Sequence, residues 1–139
     1  MRLVIELDSL LLNVPGDTAY EPTPAEWRLL DRLGRSPDDH EAMSAAHVLA
    51  RIPFARIADS IDRASIDFDS LLAAPWSSGE RVLVGVAAAL WAGYEETAVA
   101  DVVRSLDDDN LSAVLEAIVL RRGWWIGNVA PSAAARVER

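Results

Sequence analysis

The chain has no cysteine, no lysine and only two histidines among its 139 residues. Without thiols there is no disulfide, no thiolate nucleophile and no thiolate metal site, which fits a reducing compartment. Without lysine, all thirteen basic residues are arginine. GC-rich coding is the simplest cause, and selection for bidentate pairing is the functional alternative. Uninterrupted apolar runs are also short. Arg2, Glu6 and Asp8 break up the first residues, where a signal peptide needs about 7 to 15 apolar residues in a row. No stretch approaches the ~20 residues that span a bilayer. These absences lead us to expect a cytoplasmic protein.

What is present points to one folded unit. Half of the residues are hydrophobic (51%), in a chain of 15.1 kDa, a size that buries roughly two thirds of its unfolded surface. We expect a single compact domain over residues 1–127 and a weakly ordered tail over 128–139. The net charge of −9 repels phosphate backbones and anionic lipid headgroups, so a basic protein partner fits better than nucleic acid or membrane.

The spacing predicts a mainly helical fold with a small N-terminal β element. Arg2 to Leu7 alternates as a strand, with Leu3, Ile5 and Leu7 on one face. Asp8-Ser9 is either the turn into a second strand, Leu10 to Val14, or the start of a short helix. An isolated hairpin is marginal in water, and Ser65 to Phe68 is the expected internal partner for it. Thr23, Pro24 and Glu26 open a helix that Gly34 closes, with Trp27, Leu30 and Leu33 along one side. Ser36-Pro37 repeats the start signal for a helix that runs to about Ala50 and buries Ala42, Ala45, Ala46 and Leu49. Phe54, Ile57, Ala58 and Ile61 follow helical spacing, and a short helical turn is expected at Ser70 to Ala74.

The most legible block runs from Ser77 to Gly123. Ser77 and Glu80 form a capping box. Val82 to Ala92 then continues without a charge until Gly93, so neighbours must wrap a central helix at about 78–92. Val99, Val102, Val103 and Leu106 make the next apolar stripe. Asp107, Asp108 and Asp109 cap a last helix with the stripe Leu111, Val114, Leu115 and Ile118, which Gly123 ends. Five to six helices result.

No residue cluster has the pattern of an active site. His40 and His47 lie seven apart, which on one helix places them on one face but about 10 Å apart, too far to share a metal. Ser44 between them has no nucleophile-elbow context. Ser77-Ser78-Gly79-Glu80 lacks the glycines and lysine of a P-loop, and its glutamate repels phosphate. The aspartate run has neither the mid-loop glycine nor the bidentate glutamate of a calcium loop. As part of a helix-turn-helix it places three carboxylates where a recognition helix meets DNA. We therefore expect no enzyme activity, cofactor or metal.

The tryptophans carry more information. Trp27 and Trp91 fall on apolar stripes and are read as core, and Trp76 as a staple against the helix that follows it. Trp124, Trp125 and Ile126 come directly after Gly123. On a strand, adjacent rings face opposite sides, leaving one exposed as an interface residue; the other reading folds both back over the helices. Trp124, Trp125, Ile126, Asp107, Asp108 and Asp109 are thus the candidate interaction residues.

The segment Pro75 to Arg122 resembles small helical proteins of actinobacteria and phages. GDTAYEPTPAEWRLL, residues 16–30, is similar to the openings of phage tail assembly chaperones. These resemblances rest on capping and core residues, cover less than half of the chain, and imply a phage or mobile-element origin without a catalytic signature. The sequence leads us to expect a non-enzymatic protein-interaction module: an adaptor, assembly chaperone or small structural subunit that binds a protein partner or itself. An acidic inhibitor or nucleic-acid mimic is the alternative, and a helix-turn-helix regulator the third.

Overall fold

The computed structural model describes residues 2–7, 10–15, 20–93, 97–123 and 135–138, with only the backbone described in 2–7, 10–15 and 135–138. Among these residues six α-helices dominate: α1 (Pro24–Leu33), α2 (His40–Leu49), α3 (Phe68–Ala73), α4 (Ser78–Ala92), α5 (Val99–Ser105) and α6 (Asp108–Arg122). Five short strands accompany them: β1 (Arg2–Leu7), β2 (Leu10–Pro15), β3 (Ile61–Asp62), β4 (Ser65–Ile66) and β5 (Ala135–Glu138). The fold is mainly α with a small β element, as its periodicity implies.

Local chemistry sets the helix ends. Thr23 and Ser77 each cap their helix through the backbone N–H of Glu26 and Glu80, and each glutamate returns a bond to the capping residue's N–H, so both capping boxes are complete. Gly34, Gly93 and Gly123 close α1, α4 and α6 in the left-handed conformation, which costs glycine no Cβ clash. One start signal is displaced. Ser36-Pro37 forms a turn rather than a helix start, and Asp39 caps α2 by accepting from the N–H of Ala42. Asp39 also pairs with Arg35, an interaction that holds the carboxylate at the helix mouth.

Small residues let the central helices approach closely. Ala42, Ala45 and Ala46 of α2, Ala87 and Ala88 of α4, and Ala113 and Ala117 of α6 are all buried. α4 is buried continuously from Val82 to Ala88, as its uncharged sequence requires. α2 shares the centre, lying against α1, α4 and α6. Leu29, Leu30 and Leu33 of α1, with Phe68 and Leu71 of α3, close the core.

Three expectations change in the folded chain. Phe54 to Ile61 is not an α-helix but two 3₁₀ turns, Phe54–Arg56 and Ala58–Ser60, followed by β3. Ile57 and Ile61 still reach the core: Ile57 joins the two turns, and Ile61 is held in β3 by pairing with Ile66. The hairpin β1–β2 does form, with Leu3 opposite Val14 and Ile5 opposite Leu12. Its third strand is β5, paired antiparallel to β1, while Ser65 and Ile66 pair locally with Asp62 and Ile61. The sheet order β2-β1-β5 thus brings the end of the chain back to its beginning. Trp27 is 38% exposed rather than core; Leu29, Leu30 and Leu33 occupy the buried face of α1 instead. Trp91 is half-buried at the core's edge, with the Arg35 guanidinium 5.2 Å from its ring centre.

Candidate functional site

Two features stand out from the packing: a charged cluster inside the helices and an apolar groove on their surface. The cluster begins with Glu26. As the third residue of α1 it completes the capping box, its Oε1 accepting from the Thr23 N–H at 3.1 Å. It also lies on the helix face of Leu29, Leu30 and Leu33, so it is carried into the core and is only 2% exposed. A carboxylate there needs compensation.

Tyr20 and His47 supply it. The Tyr20 hydroxyl donates to Glu26 Oε1 at 2.6 Å, and His47 Nδ1 lies 3.0 Å from Glu26 Oε2 and 3.2 Å from the Tyr20 oxygen. The two rings meet edge to face at 5.6 Å. On the far side of the imidazole, Nε2 is buried without a hydrogen-bond partner among the described residues, and faces Glu116 Oε1 of α6 at 3.7 Å. That distance exceeds a hydrogen bond and is close enough for strong Coulomb attraction.

The imidazole is therefore held between two carboxylates. Burial opposes its charge, but Glu116 and Glu26 outweigh burial and raise the His47 pKa from 6.5 to about 9. Burial likewise acts against ionised Glu26, but His47 overcomes it with help from the Tyr20 hydroxyl and the Thr23 N–H, so the carboxyl stays below its ordinary range. Electrostatically, the cluster fastens α1 to α2 and α2 to α6. The three clefts described below are lined by other residues.

The two histidines of α2 have different surroundings. His47 is inside the cluster, whereas His40 is exposed at the helix start, its ring beside Gly123. Ser44 is fully buried and donates to the Glu41 carbonyl. Sequence reasoning did not find the cluster. The one signal for it was a charged residue on an apolar stripe, Glu26 at i with Leu29, Leu30 and Leu33 at i+3, i+4 and i+7.

The groove lies between α4, α5 and α6. It encloses about 290 Å³ and is lined by Val86 and Leu90, Val99 and Val103, and Leu111 and Ile118 among others. Val99, Val103 and Ile118 are 79%, 64% and 52% exposed. The stripe read for α6 is consequently rotated. Its buried line is Ala113, Val114, Ala117 and Leu120, while Leu111, Leu115 and Ile118 border the groove.

The candidate interaction residues fall in two places. Asp107 caps α6 by accepting from the Asn110 N–H at 2.8 Å, and Asp108 and Asp109 occupy its first turn, all three exposed. They form a helix start that favours carboxylates. Trp124, Trp125 and Ile126 lie outside the described residues. Trp76 rests half-buried on the core, its Nε1–H donating to the Leu71 carbonyl and its ring under the Arg56 guanidinium at 4.5 Å.

Two further clefts lie elsewhere on the described surface. One of about 340 Å³ opens between the start of α1 and the Ala50–Phe54 connection, and another of about 430 Å³ lies between Trp76, Arg81 and Asp101. Among the described residues no group of three or more histidine, aspartate or glutamate side chains is arranged to hold a metal ion. No described helix is long and apolar enough to cross a membrane. No protein-family model matches the chain, no curated protein matches its sequence, and no solved structure matches its fold.

Proposed function

We propose that this protein is a non-enzymatic, cytoplasmic interaction module, a small structural or adaptor subunit whose first partner is a second copy of itself. The observation that carries the reading is the exposed apolar groove of Val99, Val103 and Ile118. Exposed apolar patches of this kind mark contact surfaces on folded proteins.

The occupant follows from how α6 is charged. Asp107, Leu111, Ile118 and Arg122 recur at i, i+4, i+11 and i+15, so they share one side of the helix. That side is acidic at its start, apolar in its middle and basic at its end. Two such helices running antiparallel about a twofold axis bury Ile118 against Leu111 of the other chain and, in the same register, bring Asp107 beside its Arg122. A twofold contact needs this kind of self-complementarity. The Glu26–His47–Glu116 cluster is largely buried and lines none of the three clefts described above, which supports a non-catalytic role. A DNA-reading role draws no support from α6, whose start carries three aspartates. A phage or mobile-element setting rests on the sequence resemblances.

Light scattering coupled to size-exclusion chromatography tests the proposal on the full chain. The expected mass is twice 15.1 kDa, falling to the monomer in the double variant Val103→Glu/Ile118→Glu with unchanged helical circular dichroism. A 15.1 kDa species at every concentration, or a dimer indifferent to both substitutions, overturns the reading.

A further inference from the structure

The cleft between α1 and the Ala50–Phe54 connection is chemically unlike the rest of this acidic molecule. Its floor is apolar, with Leu29, Ile52 and Ile57 buried beneath it. Ala25 and Ala50 line it, and their short side chains leave the space open. Two cations stand at its edge. Arg28 lies 5.1 Å over the Phe54 ring, and this stacking is its one contact of this kind among the described residues. Arg51 donates Nε–H to Asn110 Oδ1 at 2.9 Å, which leaves its two terminal amino groups available.

We propose that this cleft is a binding site for a small apolar carboxylate, an acid whose hydrocarbon body lies on Leu29, Ile52 and Phe54 and whose carboxylate meets Arg28 and Arg51. A volume of about 340 Å³ is at the lower end of the range for small-molecule sites. Guanidinium presents paired N–H donors that match a carboxylate. A stacked arginine is also preorganised, since Phe54 already restricts its side chain before the ligand arrives. In a chain of net charge −9, a cleft edged by two arginines supplies the local attraction that the molecule as a whole denies an anion. The site is separate from the α4–α5–α6 groove and does not depend on self-association.

An NMR titration of the ¹⁵N-labelled full chain with 4-phenylbutyrate tests this, with the uncharged 4-phenylbutan-1-ol as the matched control. The acid is expected to cause saturable shifts at the amides of Ala25, Ile52 and Phe54, and the alcohol to bind more than about tenfold more weakly, since it loses the charge-assisted hydrogen bonds to both arginines. Arg28→Gln lowers affinity for the acid about tenfold and leaves that for the alcohol unchanged. Ala25→Leu, which fills the cleft without changing charge, abolishes both. The absence of saturable shifts, equal binding of acid and alcohol, or shifts confined to Val103 and Ile118 overturns the proposal.

Discussion

Removing the charge of His47 is the sharpest test of how the helices are joined. Moving the imidazole pKa from 6.5 to about 9 means that the folded chain favours the charged form by about 3 kcal/mol, at about 1.4 kcal/mol per factor of ten. The folded state holds the proton between these two values while the unfolded state releases it, so stability falls as pH rises. The contribution is complete below pH 6.5 and gone above about 9. Cysteine and lysine, which titrate in or near this window, are absent from the chain. Urea unfolding at pH 6, 7, 8 and about 9.5 is expected to show the wild-type protein losing about 3 kcal/mol across the series. His47→Gln retains a donor for Glu26 but no charge. It starts about 3 kcal/mol lower at pH 6, the cost of stranding one partner of a buried ion pair, and is flat over the same range. A wild-type stability that does not change from pH 7 to 9.5, or a variant with the same slope, refutes the view that the two carboxylates hold an imidazolium. Neutral imidazole offers a physical reason for the loss. With the proton kept on Nδ1 for Glu26, the lone pair of Nε2 faces the Glu116 carboxylate.

Two other predictions concern the frame. Gly93→Ala and Gly123→Ala both force a left-handed alanine, at φ of +74° and +75°, and each is expected to lose about 1 kcal/mol in thermal or urea unfolding. Only at Gly123 does the new Cβ meet another residue, coming within 2.7 Å of His40 Cε1. The His40 ring signals should therefore move in that variant alone; unmoved signals disprove the contact. Ala46→Leu adds a branched side chain where α2 is 1% exposed, and an overpacked core costs about 1–3 kcal/mol. A variant as stable as wild type in differential scanning calorimetry argues against close helix approach at α2.

How much was legible depended on range along the chain. The capping boxes of Thr23/Glu26 and Ser77/Glu80 and the closing glycines 34, 93 and 123 all involve neighbours within one turn, and the sequence alone placed them correctly. The uncharged run Val82–Ala92 likewise announced a buried helix, which holds from Val82 to Ala88, while Ala89 and Ala92 of its last turn are exposed. Errors came where periodicity was the sole guide. Phe54, Ile57 and Ile61 have helical spacing, and Ile57 and Ile61 are buried, yet the pairing of Ile61 with Ile66 diverts the backbone. Trp27 and Ile118 sit on apolar stripes and are nevertheless exposed, because a stripe states which side is apolar, not which side has a neighbour.

The residues themselves therefore determined where α1, α4 and α6 start and stop, the predominance of helix and the hairpin β1–β2. Tertiary structure alone decided that Glu26, His47 and Glu116, from three helices, share one buried cluster. It also decided that β5 closes the sheet on β1, and that α6 buries alanines while turning Leu111 and Ile118 toward a groove. The physical reason is that caps and turns are bonds within a few residues, whereas burial of a charge or exposure of a leucine is fixed by which distant surfaces fit together.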